Sequence, residues 1–322
     1  MSKIRLYSNS LFFEVYLIGY NSQGESILFF LRTDEGVIYS GVVDCYTYKS
    51  INKTIDLLKK ENIEKIDFLC WTHPHDDHSL GIDKLLDLYC DSNTKIWISD
   101  IYPEDLELYS ASSRNLYQKI KEIIRRKKSN IKFAKDNTIL DKFICQGLNS
   151  YSFEIQSFSP NSTIIAENKE FGKAEKGNPY SIGLSVYVGR FNVMLAGDVE
   201  NTTISRFDDT FFDSPIDYIK IPHHGSSTGD QLPIKLNEFG LKAPSVATST
   251  IFIKHHLPQV DTLQKYKKWG TNEIYVTNSF ENFENTENYG IIVTSFDVLE
   301  KREYPIETNI LGNSISILYS QL

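Results

Sequence analysis

Three histidines and an aspartate crowd into one short stretch of the sequence, with the spacing His73-x-His75-x-Asp77-His78. Imidazole nitrogens and carboxylate oxygens are ligands that suit Zn²⁺, Mn²⁺ and iron. Two histidines at positions i and i+2 of a loop can project their rings to one point, and Asp77 with His78 can turn toward a second point a few ångströms away. The stretch therefore predicts a site for two metal ions that act together in hydrolysis.

The other histidines fall into two adjacent pairs, so all seven histidines of the chain lie in three clusters. His223 and His224 follow a short apolar stretch and precede Gly-Ser. A second apolar stretch, 191–195, runs into Gly-Asp198. An aspartate after a strand is common in turns and means little alone. In a chain whose histidines are so restricted, however, His223 and His224 are candidates for the same site.

The elements that must position these side chains read as strands followed by helices. Apolar and β-branched runs predict strands at 11–18, 26–31, 36–44, 66–72, 151–158, 182–188, 191–195, 218–221, 245–248, 273–276 and 290–294. Helical spacing of apolar residues predicts helices at 50–61, 79–90, 103–130, 232–239 and 258–269. Strands followed by helices occur in the first half of the chain and again in the second. This repeated order predicts two sheets sandwiched between helical layers.

The composition excludes several classes of protein. Hydrophobic residues make up 41% and charged residues 24% of the 322 residues, which is typical of a globular chain and not of a disordered one. No apolar run has the length of a membrane span, and the first residues lack the apolar region of a signal peptide. The four cysteines show no C-x-x-C pairing, which favours a reduced, cytoplasmic protein. Because no Pro- or Gly-rich linker divides the chain, we expect a single domain over residues 1–322.

These motifs together resemble those of the metallo-β-lactamase fold hydrolases. The resemblance rests on H-x-H-x-D-H after an apolar strand, then a strand that ends in Gly-Asp198, then His223-His224-Gly-Ser. It extends upstream to a strand that ends in Val-Val-Asp44, and it covers about residues 10–295. The His-His-Gly-Ser variant is similar to the soluble hydrolase domain of the DNA-uptake channel ComEC and its stand-alone relatives. The resemblance implies an α/β fold, a four-layer αββα sandwich with a helical insertion around 101–130.

The resemblance also implies a role for each residue that matches the first motif. His73 and His75 would hold one metal ion, and Asp77 with His78 would hold the second. Asp198 would bridge the two ions. The implied cofactors are two divalent metals, with Zn²⁺ favoured and Mn²⁺ as the alternative.

The two histidine pairs match later family positions. His224 corresponds to a histidine that contacts metal or phosphate, with His223 beside it. The last family ligand stands before a helix, which makes His255 or His256 the candidate, and the sequence does not choose between them. The alternative is a surface pair that caps the helix predicted at 258–269.

One family position has no counterpart here. Many members place a further histidine between the first motif and the Gly-Asp strand, but no histidine lies between His78 and His223. The segment 178–181, Asn-Pro-Tyr-Ser, occupies the region where ComEC-like members carry an Asn-x-Ser segment. The first metal would then have fewer protein ligands or take phosphate oxygens, and a one-metal site is the alternative.

The chemistry that follows is attack by a metal-bound hydroxide on phosphorus or a carbonyl carbon. Asp77 would hold a metal or orient the hydroxide, and His223 and His224 would stabilise the charge that develops on the non-bridging oxygen. Asp44 would accept a hydrogen bond from an imidazole N–H and so support the ligand loop.

The substrate is open to three readings. A phosphodiesterase or nuclease acting on nucleic acid or nucleotide is favoured by the His-His-Gly-Ser variant and by the stretch 119–135, which holds eight Lys/Arg and one Glu in a chain of net charge −8. The first alternative is a hydrolase of a small nucleotide signal, a lactone or a thioester. The second is a metal-binding protein without activity that works with a protein partner, for example in an anti-phage defence system. No membrane association is expected.

Overall fold

A computed structural model describes residues 2–101, 106–125, 130–171, 178–209, 212, 214–279 and 287–317. Within these ranges the strands are β1 (Ser2–Arg5), β2 (Phe12–Tyr20), β3 (Glu25–Thr33), β4 (Gly36–Val43), β5 (Phe68–Trp71), β6 (Lys95–Ser99), β7 (Asn130–Ala134), β8 (Thr138–Gln146), β9 (Ser150–Ser159), β10 (Gly183–Val188), β11 (Phe191–Leu195), β12 (Tyr218–Lys220), β13 (Val246–Ser249), β14 (Glu273–Val276), β15 (Tyr289–Asp297), β16 (Ile306–Gly312) and β17 (Ile315–Ser316). The helices are α1 (Lys53–Lys60), α2 (Asp76–Ser79), α3 (Ile82–Tyr89), α4 (Ala111–Arg125), α5 (Ser162–Phe171), α6 (Asn201–Ile204), α7 (Leu232–Glu238) and α8 (Val260–Trp269).

The strands form two sheets. Sheet 1 has the order β1-β8-β9-β10-β11-β12-β13-β14-β17, and sheet 2 has the order β16-β15-β2-β3-β4-β5-β6-β7. Strands β11 to β14 are parallel in sheet 1, and strands β4 to β7 are parallel in sheet 2. Each parallel run presents its carboxyl ends at one edge of its sheet, and such edges are the usual place for ligands in α/β folds.

Alternate residues of the strands face different layers. In β3, Phe29 and Leu31 belong to the apolar cluster between the two sheets, whereas Leu28 and Phe30 belong to a second cluster beneath helices. Both faces of the strand are covered, which is why the sequence reads there as a continuous apolar run rather than an alternating one.

Helices close both outer faces of the sandwich. Leu85 of α3 and Ile120 of α4 pack in the cluster on the outer face of sheet 2. Leu236 of α7 and Leu263 of α8 pack in a third cluster, on the outer face of sheet 1. The order of layers is therefore helix, sheet, sheet, helix, and the predicted αββα sandwich is confirmed.

Two helix predictions differ from the structure. The helix predicted at 79–90 is present as α3 but begins later, at Ile82, because Gly81 caps α3 and separates it from α2. A Cβ at Gly81 would lie 2.6 Å from Cys45 Sγ, so the chain passes too close to its neighbour for a larger residue. The helical insertion is present as α4, between β6 and β7, and the remainder of the stretch 101–130 includes 102–105 and 126–129, which lie outside the described residues.

Strands were missed where the sequence lacks strong β patterns. Strands β6, β7 and β8 complete the two sheets around the helical insertion, and β1, β16 and β17 lie at or near the sheet edges. In the described part of the chain no helix is long and apolar enough to cross a membrane.

Candidate metal centre

Asp44 is the support of the first ligand loop. It directly follows β4 with a left-handed φ of 58°, a conformation that costs a non-glycine residue free energy. Its buried carboxylate accepts hydrogen bonds from the Thr72 backbone N–H at 2.7 Å and from the Thr72 hydroxyl at 2.6 Å. It also lies 2.7 Å from His78 Nδ1, so the expectation that Asp44 accepts an imidazole N–H is confirmed.

The hydroxyl of Thr72 then fixes a second histidine. Because this hydroxyl donates to Asp44, its oxygen is left to accept, and His73 Nδ1 lies 2.9 Å from it. Both His73 and His78 therefore carry a hydrogen on Nδ1 and present Nε2 to the interior. Their Nε2 atoms lie 3.6 Å and 3.4 Å from the two carboxylate oxygens of Asp198.

Asp198 reaches this position because glycine precedes it. Gly197 has a φ of 52°, and a Cβ there would lie 2.6 Å from the Ile182 carbonyl oxygen. The backbone N–H of Asp198 donates to Ser181 Oγ at 2.8 Å. One carboxylate oxygen of Asp198, Oδ1, is buried and makes no hydrogen bond among the described residues; His78 Nε2 at 3.4 Å and Lys220 Nζ at 3.6 Å lie near it. A buried carboxylate oxygen without a hydrogen bond, beside imidazoles, is what a metal ligand looks like without its ion.

The histidine pair after β12 has a strained backbone. His223 and His224 have φ values of 48° and 51°, and Gly225 continues the left-handed conformation with a φ of 78°. The turn buries His224, whose Nε2 lies 3.1 Å from Asp77 Oδ2 and 3.3 Å from His78 Nε2. Its Nδ1 lies 2.6 Å from the Thr250 hydroxyl. Strain of this kind persists where the surrounding structure enforces it, as at functional sites.

His223 points to the solvent side of the same cluster. Its side chain is 23% exposed, and its Nε2 lies 3.8 Å from Asp198 Oδ2. Its Nδ1 lies 2.7 Å from the Thr228 hydroxyl and 3.1 Å from Glu200 Oε1. Glu200 was not predicted as part of the site; it comes directly before α6, three residues after Gly197.

The described residues contain two groups of side chains that could hold a metal ion. His73, His78 and Asp198 form the first, and Asp77, His78 and His224 form the second. In each group the ligand atoms lie within 4.8 Å of one another, and all these residues are buried. Nitrogen and carboxylate donors in sets of three fit Zn²⁺ or Mn²⁺ with an open position. Together with the buried Oδ1 of Asp198, the residues fit divalent metal binding.

The electrostatics of the centre are dominated by its buried carboxylates. Burial raises the pKa of Asp198, but His224 and His78 outweigh it and hold that pKa well below its usual range. Burial lowers the pKa of His224, but Asp198 and the other carboxylates beside it raise it to about 9. Burial, together with the neighbouring imidazoles, holds the pKa of His73 well below its usual range, so this ring stays neutral and can act as a ligand. Burial lowers the pKa of His78 as well, but Asp198 and the other carboxylates raise it well above its usual range, so a metal ion that binds His78 and His224 would displace protons from them.

Three predicted ligands lie outside the two groups. His75 is half-buried, with Nδ1 at 3.1 Å from His73 Nε2 and its ring against Tyr109. His255 and His256 are exposed, in and after a short 3-10 turn, and the His255 ring contacts Phe252. Their roles as metal ligands stay predictions.

A cavity of about 670 Å³ opens above the centre. Asp77, Asp198 and His223 contribute to its lining, and so do Lys254 and His255 from the loop before α8. Tyr109 and Phe252 add aromatic surface. The cavity thus combines an acidic floor with cationic and aromatic side chains at its border.

Two charged residues beneath the centre were missed. Glu25, the first residue of β3, and Lys220, the last of β12, are both buried and lie 2.8 Å apart, Oε1 to Nζ. A signal existed for Lys220, because a lysine inside the apolar run Tyr-Ile-Lys-Ile is out of place in a strand that is covered on both faces. Thr250, which follows β13 and contacts His224, carried no such signal.

A family model described as "Metallo-beta-lactamase superfamily" matches residues 29–236 of the sequence. The match includes the first ligand loop, Asp198 and the pair His223 and His224. It ends before Thr250, His255 and His256. No curated protein shows detectable sequence similarity to the chain.

Solved structures with a related fold are distant in sequence. The metallo-beta-lactamase fold protein YhfI from Bacillus subtilis is 13% identical, with a TM-score of 0.44 over 82% of this chain and 96% of that one. A diphosphatase from the PhnP family is 13% identical, with a TM-score of 0.38 over 79% and 91%. Human tRNase Z, short form, is 13% identical, with a TM-score of 0.40 over 80% and 88%.

Proposed function

The chain belongs to the metallo-β-lactamase superfamily, and from this premise we propose that it is a metal-dependent hydrolase of phosphodiester bonds. The observation that carries the proposal is the arrangement of two buried ligand groups that share His78 and lie at the floor of a cavity. A shared ligand places the two groups side by side, which is the arrangement that two-metal hydrolysis requires.

The proposed ligands follow from the geometry. His73 with Asp198 would hold one ion, and Asp77 with His224 the other; His78 belongs to both groups but offers Nε2 alone, so it would complete the shell of one of the two ions. Divalent ions bound there supply a Lewis acid and lower the pKa of water at the site. Asp44 and Thr72 hold the rings of His73 and His78 in place, and the chain excludes water from beneath them, since both side chains are buried.

His223 is the proposed contact for the reacting group. Glu200 and Thr228 bind its Nδ1, which leaves Nε2 for an oxygen of the substrate. Its partial exposure in the cavity wall lets it meet a substrate that the buried His224 does not reach. Because the Glu200 carboxylate only accepts, Nδ1 carries the hydrogen of that contact, and Nε2 donates to a non-bridging oxygen, where negative charge develops, in the doubly protonated ring.

The border of the cavity favours an anionic substrate over a lactone or a thioester. Lys254 and His255, from the loop before α8, contribute to its lining, and Lys254 forms no ion pair within the described part of the chain. A volume of about 670 Å³ lies in the range of pockets that enclose small ligands. These features support a phosphodiester the size of one or two nucleotides.

The basic stretch 119–135 gives less support to a long polynucleotide. Lys119 lies 3.2 Å from Asp87, and Lys132 lies over the ring of Trp97. These cations are already engaged with the protein's own side chains. Arg126, Lys127 and Lys128 lie outside the described residues.

The proposal is tested with protein stripped of metal and reloaded with Zn²⁺ or Mn²⁺. We expect hydrolysis of bis(p-nitrophenyl) phosphate and of a dinucleotide, and a loss of about a hundredfold or more in Asp198→Asn. Asp67→Asn is the control for a carboxylate outside the centre: Asp67 accepts the Ser40 backbone N–H at 2.8 Å and precedes β5, at the end of that strand away from the ligand loop.

Three results would contradict the proposal in different ways. Cleavage of lactones or thioesters but not of diesters would correct the substrate class. Equal activity of the wild type and Asp198→Asn would show that the candidate metal centre does not take part in catalysis. Tight metal binding without hydrolysis of any ester would favour the metal-binding partner protein.

A further inference from the structure

Lys220 is a buried cation directly beneath the candidate metal centre. Its side chain is fully buried, and its Nζ donates to the Gly197 carbonyl oxygen at 2.8 Å. The same Nζ lies 2.8 Å from Glu25 Oε1 and 3.6 Å from Asp198 Oδ1. A buried ammonium group is costly unless it is paired, so its three oxygen neighbours show a built environment rather than an accident of packing.

Glu25, which pairs with Lys220, also accepts a hydrogen bond from a threonine. Its second oxygen, Oε2, accepts the hydrogen of the Thr250 hydroxyl at 2.7 Å. An ionised carboxylate only accepts hydrogen bonds, and Lys220 keeps Glu25 paired as a carboxylate. The Thr250 hydroxyl therefore has no choice of direction, and its oxygen is left to accept.

The acceptor faces a ligand. His224 Nδ1 lies 2.6 Å from the Thr250 oxygen and must carry the hydrogen of that bond. Its other nitrogen, Nε2, is then the one that points to Asp77 and His78, at 3.1 Å and 3.3 Å. Thr250 thus holds the Nδ1 hydrogen of His224, and Nε2 is the nitrogen left for a metal ion, in an orientation set by residues that do not touch the cavity.

We propose that Lys220, Glu25 and Thr250 are positioning residues that fix His224 as an Nε2 ligand of the metal centre. The proposal rests on the proposed function, because it assigns His224 to metal. It adds a chain of three residues from both sheets, Lys220 and Thr250 from sheet 1 and Glu25 from sheet 2. None of them belongs to the two ligand groups.

Thr250→Val tests the chain without disturbing the ion pair. Valine keeps the branched shape but removes the hydroxyl, so His224 Nδ1 loses its acceptor at 2.6 Å and is left with Glu25 Oε2, at 3.4 Å, while Lys220 and Glu25 remain paired. Loss of such a supporting partner lowers metal affinity by about 10- to 100-fold. We expect a decrease of that size for Zn²⁺, measured by competition with a chromogenic chelator, and near-complete restoration in Thr250→Ser.

Thr248→Val is the matched control. Thr248 lies two residues earlier, is also fully buried, and bonds the Tyr218 hydroxyl at 2.6 Å rather than a ligand. It loses one buried hydroxyl as Thr250→Val does. We expect its Zn²⁺ affinity to equal that of the wild type, so that a fall in affinity reports positioning and not general loosening of the fold.

A second readout follows the ring itself. The hydrogen on His224 Nδ1 gives a downfield imidazole signal in NMR, assigned by its absence in His224→Ala. We expect the signal to persist in Thr248→Val and Thr250→Ser and to shift or vanish in Thr250→Val. An unchanged signal and unchanged Zn²⁺ affinity in Thr250→Val would overturn the proposal.

The two proposals fail separately. If the wild type hydrolyses no diester but Thr250→Val still weakens Zn²⁺ binding, the proposed function fails and the positioning chain stands. If the wild type hydrolyses diesters and Thr250→Val binds Zn²⁺ as tightly as the wild type, the chain fails and the function stands.

Discussion

The candidate centre has two supports, built from the same parts. In the first, Asp44 and the Thr72 hydroxyl hold His73 and His78 by their Nδ1 atoms. In the second, Glu25 and the Thr250 hydroxyl hold His224 by its Nδ1. Each is a carboxylate that fixes the direction of a threonine hydroxyl, which in turn fixes an imidazole.

The supports differ in how the buried carboxylate is stabilised. Asp44 accepts a backbone N–H, a hydroxyl and an imidazole, with no lysine or arginine in contact among the described residues, and burial raises its pKa. Burial also raises the pKa of Glu25, but Lys220 and His224 lower it to about 2. A local loop can surround a carboxylate with hydrogen-bond donors, whereas a support that joins two sheets uses a charge. We expect a single substitution in the second support to lower the free energy of unfolding more than one in the first, because it can leave a buried charge unpaired.

The largest effect is expected for Lys220→Met. The substitution leaves Glu25 buried without its counter-ion, which should lower the free energy of unfolding by about 3–5 kcal/mol. The double variant with Glu25→Gln should recover much of that loss. Urea denaturation followed by tryptophan fluorescence measures both. A double variant no more stable than Lys220→Met would show that the two residues do not act as a pair.

Asp44→Asn should come next. Its amide would turn an acceptor into a donor facing His78 Nδ1–H or the Thr72 hydroxyl, so two ligands lose their orientation at once. We expect Zn²⁺ affinity to fall by about a hundredfold, a change of about 2.7 kcal/mol. Competition with a chromogenic chelator measures the Zn²⁺ affinity. An effect no larger than that of Thr250→Val would mean that Asp44 does not serve two ligands.

Thr72→Val isolates the hydroxyl of the first support. The Asp44 bonds from Thr72 N–H and His78 remain, and only His73 loses its acceptor. If the two supports work alike, the loss of Zn²⁺ affinity should match that of Thr250→Val, at about tenfold. A much larger fall in Zn²⁺ affinity would show that the Thr72 hydroxyl contributes more to the first support than Asp44 does.

The fold was predictable from the sequence wherever burial between layers requires a recognisable pattern of apolar residues. Continuous apolar runs such as that of β3 predict a strand that is covered on both faces. The boundary between α2 and α3 was not predictable, because the need for Gly81 arises from the approach of Cys45, which lies far away in sequence. The same holds for β6 to β8, whose pairing is decided by neighbours rather than by their own composition.

The site divides in the same way. The first support was predicted through Asp44, because the strand that ends in Val-Val-Asp44 matches a family motif. The second was missed because Glu25, Lys220 and Thr250 come from three distant strands, and no local spacing connects them. Only the isolated lysine in an apolar run pointed to it, and a lone charge in a strand does not name its partner.

The smallest effect is expected for His256→Gly, which touches neither support. His256 has a φ of 51°, so glycine should relieve strain and raise the free energy of unfolding by about 1 kcal/mol. Zn²⁺ affinity should stay at the wild-type value, as measured by the same competition. A clear fall would instead make His256 the ligand that the sequence left undecided between it and His255.

The left-handed backbone at Asp44, His223 and His224 has a consequence for how this protein would respond to selection. Glycine would relieve this strain at each position. A laboratory screen that rewards heat resistance alone should collect substitutions at the partly exposed His223, whereas at Asp44 and His224 the loss of buried hydrogen bonds would offset the relief of strain. A histidine that is retained only when the screen also selects for the protein's biological activity would be required for that activity. Such a screen needs no knowledge of the substrate.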